Sequence, residues 1–155
     1  MKKVLSLFLS GISLCGCTLG SNNFSKFEEK LGVTMPTKYK KAFHSGETSI
    51  DSQLKYDIYE IKDDWQLNYS TQFVSDFEEE FDLLEYIDLI NTYAPLKIPV
   101  DHYIPSLSSL DWVCKREEGS TRNYEWLLIF NSEIKNLYAL YSTHQWVHQA
   151  IPSKS

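Results

Sequence analysis

Tyr124-Glu125-Trp126-Leu127-Leu128-Ile129-Phe130 and, a few residues on, Leu137-Tyr138-Ala139-Leu140-Tyr141 are the two stretches on which the fold turns. Both are rich in aromatic and large apolar residues and have strand length, and Asn131-Ser132-Glu133 between them supplies turn residues. Leu110-Asp111-Trp112-Val113-Cys114 has the same character and is parted from Tyr124 by Glu117-Glu118-Gly119-Ser120. Strands that follow one another through short polar turns are most simply arranged as an antiparallel meander. Further upstream, Leu54-Lys-Tyr-Asp-Ile-Tyr-Glu-Ile61 alternates apolar with polar residues. It predicts a strand with Leu54, Tyr56, Ile58 and Ile61 near one surface, the last out of step by one.

Helical spacing governs the rest. Ser25 followed by Glu28 has the form of a capping box, and Phe24, Phe27 and Leu31 recur at helical intervals before Gly32. Pro36 with Tyr39, Lys40 and Phe43 predicts a second short helix ending near Ser45-Gly46. Phe73, Val74, Phe77, Phe81, Leu84 and Ile87 or Ile90 mark the apolar face of a longer amphipathic helix; Asp76, Glu78, Glu79, Glu80, Asp82 and Glu85 fill most of its other side. Pro95 stops it, and Ile98-Pro99-Val100 and Tyr103-Ile104-Pro105 read as proline-broken extended segments. The expected fold is α+β: an antiparallel sheet of four to five strands with two short N-terminal helices and one longer amphipathic helix packed on it. Residues 24–155 form the single domain. No repeat or low-complexity tract is visible.

The 155 residues are 43% hydrophobic and 23% charged, which suits one ordinary domain, and 4 Trp, 10 Tyr and 8 Phe favour a well-packed core over a flexible spacer. Fifteen basic and 21 acidic residues give a net charge of -6. Such a surface repels nucleic-acid phosphates and anionic headgroups and favours a basic protein partner. Of three cysteines, Cys15 and Cys17 fall in the first seventeen residues, so no intramolecular disulfide framework is available and Cys114 reads as a core residue.

Met1-Lys2-Lys3 and the eleven largely apolar residues Val4 to Leu14 form the first two parts of a secretory signal. The apolar stretch is shorter than the roughly 20 residues a bilayer-spanning helix needs. Leu14-Cys15-Gly16-Cys17 resembles the lipobox of bacterial lipoproteins, with Cys15 a less usual second residue. The resemblance implies cleavage after residue 16, acyl chains on Cys17, and a short tether over residues 17–23. It places the protein in the cell envelope, with Thr18 favouring the periplasmic face of the outer membrane in a Gram-negative host. Without Lys2 and Lys3 the balance becomes 13 basic against 21 acidic residues, a net of -8. An ordinary cleaved signal that releases a soluble protein is the competing reading.

The stretch from Phe24 to Phe43, with Leu31-Gly32-Val33, Pro36 and Tyr39-Lys40 in place and Met35 where a leucine is usual, resembles the opening of the SUKH superfamily of Smi/Knr-type domains. It covers about 20 of the 155 residues. Ser45-Gly46 and Ser106 to Asp111 are weak counterparts of the family's Asn-Gly and Asp/Gly-rich segments. Physically, Gly32 can take the left-handed conformation that ends a helix, Val33 and Met35 plug the core, and Pro36 fixes the next element's start. Many bacterial members act as immunity proteins, so the resemblance implies a non-enzymatic, envelope-anchored protein that binds and neutralises a toxin. A structural or assembly lipoprotein with no toxin partner is the alternative.

Specific chemistry is sparse. His144 and His148 could ligate a metal on a helix, but Trp146-Val147 between them suits a strand, where residues four apart do not converge. The acidic run Phe77 to Asp82 lacks the central glycine of a calcium loop. Asp101-His102, flanked by prolines, reads as a turn. No Gly-x-Ser-x-Gly and no Gly-rich phosphate loop occurs. The expectation is therefore no catalytic residue, cofactor or metal. Expected partner contacts are Trp65, Tyr69, Glu78, Glu79 and Asp82, aromatic anchors ringed by charge.

Overall fold

The strands that decide the fold pair with each other. In a computed structural model, which describes residues 21–48, 53–68, 80–106 and 110–143, β4 (Asn123–Asn131) lies antiparallel between β3 (Leu110–Glu118) and β5 (Asn136–Ser142). This is the expected meander. β5 then pairs with β2 (Gln53–Ile61), and β2 with the edge strand β1 (Tyr39–Thr48), giving a five-stranded antiparallel sheet in the order β1-β2-β5-β4-β3. Among the described residues two α-helices complete the α+β fold, α1 (Ser21–Leu31) and α2 (Glu80–Thr92).

Each face of the sheet carries its own core. On one side Leu83, Tyr86, Ile87 and Ile90 of α2, at helical spacing, pack with Leu54, Tyr56, Ile58, Leu127, Ile129 and Leu140. On the other, Phe24, Phe27 and Leu31 of α1, with Val33 and Met35, cover Ile61, Leu128, Phe130 and Leu137. Burial on both faces explains why Trp126-Leu127-Leu128-Ile129-Phe130 is apolar without alternation. Cys114 is fully buried, as expected.

Several expectations change. α1 begins at Ser21, so Ser21–Asn23 belong to the helix rather than to a tether, and Ser25 sits inside it instead of capping it. Glu28 instead accepts a hydrogen bond from the Met35 backbone N–H at 3.0 Å, bracing the turn that Gly32 opens at φ 63°. The second N-terminal helix is strand β1. A bulge at Lys41/Phe43 breaks its register, leaving Ala42 unpaired, so Tyr39 faces the α1 side while Phe43 packs on the α2 side. The four-residue spacing of these aromatics mimics a helix, but long-range pairing with β2 overrides the local pattern. Ile61 faces the α1 layer, opposite Leu54, Tyr56 and Ile58, as strand alternation requires. The longer amphipathic helix overlaps α2, whose deepest contacts run through Leu83 rather than Leu84; residues 73–79 lie outside the described residues. Pro95 and the later prolines stand in or beside two 3-10 turns, Ala94–Leu96 and Val100–His102. Asn91 anchors this connection, donating to the Ile104 carbonyl at 2.9 Å and accepting from the Ile104 N–H at 2.8 Å.

Candidate binding groove

Helix α1 runs across the strands rather than along them. Its Phe24 packs edge-on against Tyr39 of β1 and Tyr59 of β2, each with centroids 4.7 Å away. Two turns later, Lys30 reaches Glu117 of β3 at 3.1 Å. One eleven-residue helix in this direction covers only a band of the sheet. Beyond the band, registered side by side across four strands, stand Lys55, Tyr141, Trp126 and Lys115. Tyr124 and Glu117 form the row beyond, on β4 and β3.

The angle between helix and sheet is a groove with a narrow and a wide part. Lys26, Phe27, Gln53, Lys55, Asp57 and Tyr141 line the narrow part, a cavity of about 50 Å³. Glu29, Lys30, Glu117 and Tyr124 line the wide part, about 300 Å³. Lys26, Trp126 and Tyr141 border both. Tyr124 and Trp126 are stacked, 5.8 Å between centroids and 13° between planes, and Trp126 leans on Tyr141 at 5.6 Å. The Lys30 ammonium sits 5.2 Å over the Trp126 ring, a cation–π contact.

Charge in the groove is tightly assigned. Glu117 also takes Lys115 at 3.2 Å; desolvation opposes its ionisation, but hydrogen bonds from Lys30 and Lys115 outweigh it and hold the carboxyl below the usual glutamate range. Asp57, almost fully buried, has Lys41 at 3.1 Å and His44 Nδ1 at 2.6 Å on one oxygen, and the Tyr59 hydroxyl donating to the other at 3.2 Å. The bulge in β1 makes this possible: residues three apart in a regular strand point to opposite faces, yet here both reach Asp57. Burial, then the Asp57 charge and hydrogen bond, push the Tyr59 phenol up. Burial and nearby Tyr124 likewise push the Tyr141 phenol up, with Arg122 opposing, so its hydroxyl stays a donor at neutral pH.

Of the expected contact residues, Trp65 is half-buried. Its ring packs edge-on against Phe130 at 5.0 Å and its indole N–H donates to the Thr34 carbonyl at 2.6 Å, so it closes the α1-side core and borders a shallow cleft with Asp64 and Lys135. Asp82 belongs to α2, on the opposite face of the sheet. Cys17, Tyr69, Glu78 and Glu79 lie outside the described residues, as do His144 and His148. Asp101 lies 3.0 Å from His102 Nδ1 within a 3-10 turn, as the turn reading expects. Among the described residues no group of three or more His, Cys, Asp or Glu could hold a metal, and no helix is long and apolar enough to cross a membrane.

The groove escaped the sequence because its lining is gathered from α1 and from four strands, β2, β3, β4 and β5, with no segment supplying more than four residues. The signal that could have found it is strand alternation: Tyr124, Trp126 and Tyr141 share a face that one short helix cannot cover. Comparisons with protein-family models, with curated proteins and with solved structures found no match to this chain.

Proposed function

We propose that this protein is a lipid-anchored binding module of the cell envelope, an immunity-type protein that captures and neutralises a protein toxin in the groove between α1 and the sheet. The observation that carries the reading is the groove itself. Aromatic rings at the border of the α1-side core and charged side chains are held there together on rigid elements, the composition and support that protein-binding hot spots require. The resemblance of residues 24–43 to the SUKH opening supports an immunity role; its helix ended at Gly32 and its buried Val33 and Met35 suit that motif, whereas its second helix is a strand here. The lipobox-like Leu14-Cys15-Gly16-Cys17 supports the anchor at Cys17. The net charge of -6 supports a basic toxin, drawn in by the long-range field. The longer amphipathic helix read from residues 73 to 90 is part of this proposal.

Co-expression with the product of the neighbouring upstream gene tests the role. The expected result is a toxic product whose toxicity this chain relieves, with Tyr124→Ala weakening both relief and binding while the protein stays folded. If that product is neither toxic nor bound, the immunity reading is wrong. Stable retention by an envelope assembly would make the chain a structural lipoprotein instead. For the anchor, labelled palmitate should enter the protein and Cys17→Ser should release it from membranes.

A further inference from the structure

We infer that the narrow end of the groove is a receptor for a carboxylate, an aspartate or glutamate side chain of the captured protein, held by the ammoniums of Lys26 and Lys55 beside the indole N–H of Trp126. The inference rests on the reading of the groove as the docking surface.

A charge count around the cavity leads there. The wall's carboxylates are already engaged: Asp57 with Lys41, His44 and Tyr59, and Glu117 with Lys30 and Lys115. Lys26 and Lys55 line the same cavity from α1 and β2, and among the described residues neither has a salt bridge or hydrogen bond. Glu29, one turn along α1 from Lys26, borders only the wide part and lies beyond salt-bridge distance of Lys26. Two cations therefore face a space whose own anions are taken.

Trp126 gives an independent indication. The residue is 4% exposed, its ring borders both parts of the groove, and its Nε1 is sealed from solvent and, among the described residues, has no acceptor. A buried donor without an acceptor carries a penalty of about 1–3 kcal/mol, which an incoming oxygen relieves once the side chains that seal it move aside. With the protonated Tyr141 hydroxyl, the cavity offers donors and cations.

Size decides what brings the charge. The narrow part, about 50 Å³, takes a side-chain head, and the wide part beside it, about 300 Å³, leaves room for the residues that follow. A carboxylate at the end of a flexible side chain fits, with the rest of the partner lying over Tyr124 and Tyr141. The acidic net charge does not forbid this. Beyond about 8 Å, salt screens the molecule's overall field, and local ammoniums set the sign inside the groove.

The test is NMR on the 15N-labelled full-length chain, with Trp126→Phe identifying the indole resonance. Capped pentaglutamate should shift the Trp126 indole N–H saturably, and capped pentaglutamine should not. Lys26→Gln/Lys55→Gln should weaken pentaglutamate binding about tenfold or more, as expected for charge-assisted hydrogen bonds. The proposal is overturned if pentaglutamate leaves that resonance unmoved, if the double variant binds as well as wild type, or if inorganic phosphate or phosphatidylglycerol vesicles occupy the site and the peptide does not. The two readings fail separately. Full relief of toxicity by the double variant removes the carboxylate receptor and leaves toxin capture standing, whereas pentaglutamate binding with no toxic or bound neighbour product leaves only the receptor.

Discussion

Glu125 shows what a single residue holds together on the side of the sheet away from the groove. It is buried on β4, accepts the Nε–H of Arg116 from β3 at 2.8 Å, and takes the hydroxyl of Tyr86 from α2. Removing one partner of a buried charge pair leaves the other uncompensated, so Glu125→Ala is expected to cost about 3–5 kcal/mol, read from the denaturant midpoint. Gly46 on β1 is constrained by closeness rather than charge. A Cβ there would stand 2.6 Å from the Leu54 carbonyl oxygen of β2. Gly46→Ala should therefore push the edge strand outward and cost about 1–3 kcal/mol by the same measurement. Glu117 contributes through its ionised form alone. Its folded pKa lies below the unfolded value of about 4.3, so its contribution is present above that pH and lost as the pH falls through the folded value. Because its side chain is about a third exposed, the contribution is small. Glu117→Gln should cost ~0.2–1 kcal/mol at pH 7, a difference that closes in acid.

Among the elements, β1 owes its character to one extra residue. Ala42 has no partner on β2, and the residues on either side of it present opposite faces to the two cores. Deleting Ala42 should leave an unbroken ladder with Lys41 opposite Tyr59 and Phe43 opposite Ile58, each on its present face, so the rings around Phe24 and the Lys41 contact to Asp57 are kept. The expected outcome is a loss of stability no larger than that of Lys41→Ala, measured by urea unfolding of both. The same strand marks where the sequence stops being legible. β2 to β5 could be read because each is a run of β-branched or aromatic residues ended by turn residues, and Gly32 because a left-handed residue after a helix is a local requirement. Tyr39 to Thr48 carries lysines, an alanine and aromatics four apart, a helix-like pattern that becomes a strand only because β2 offers an edge to pair with. Lys26, Lys55, Trp126 and Tyr141 were invisible for a related reason: their meeting depends on strand order and on the direction of α1, neither of which any one segment encodes.

At the scale of the molecule, the sheet divides two layers that share strands but not side chains. Tyr56 lies in one and Tyr59 in the other, and burial pushes both phenols above their ordinary range, helped by Tyr138 for the first and by Asp57 for the second. For groups whose folded pKa is raised, stability is fully present below the unfolded value, about 10 for tyrosine, and falls as the pH climbs past it. Unfolding free energy should thus drop steeply above about pH 10, and Tyr59→Phe should flatten that limb while costing about 1 kcal/mol at neutral pH through its lost hydrogen bond to Asp57. The short reach of α1 has a consequence for how such a protein can change over generations. Lys26 and Lys55 belong to neither hydrophobic layer, and replacements at such positions typically alter stability by no more than about 0.5 kcal/mol. Under the proposed capture role, what the groove holds can therefore be rewritten one side chain at a time without reopening the question of whether the chain folds.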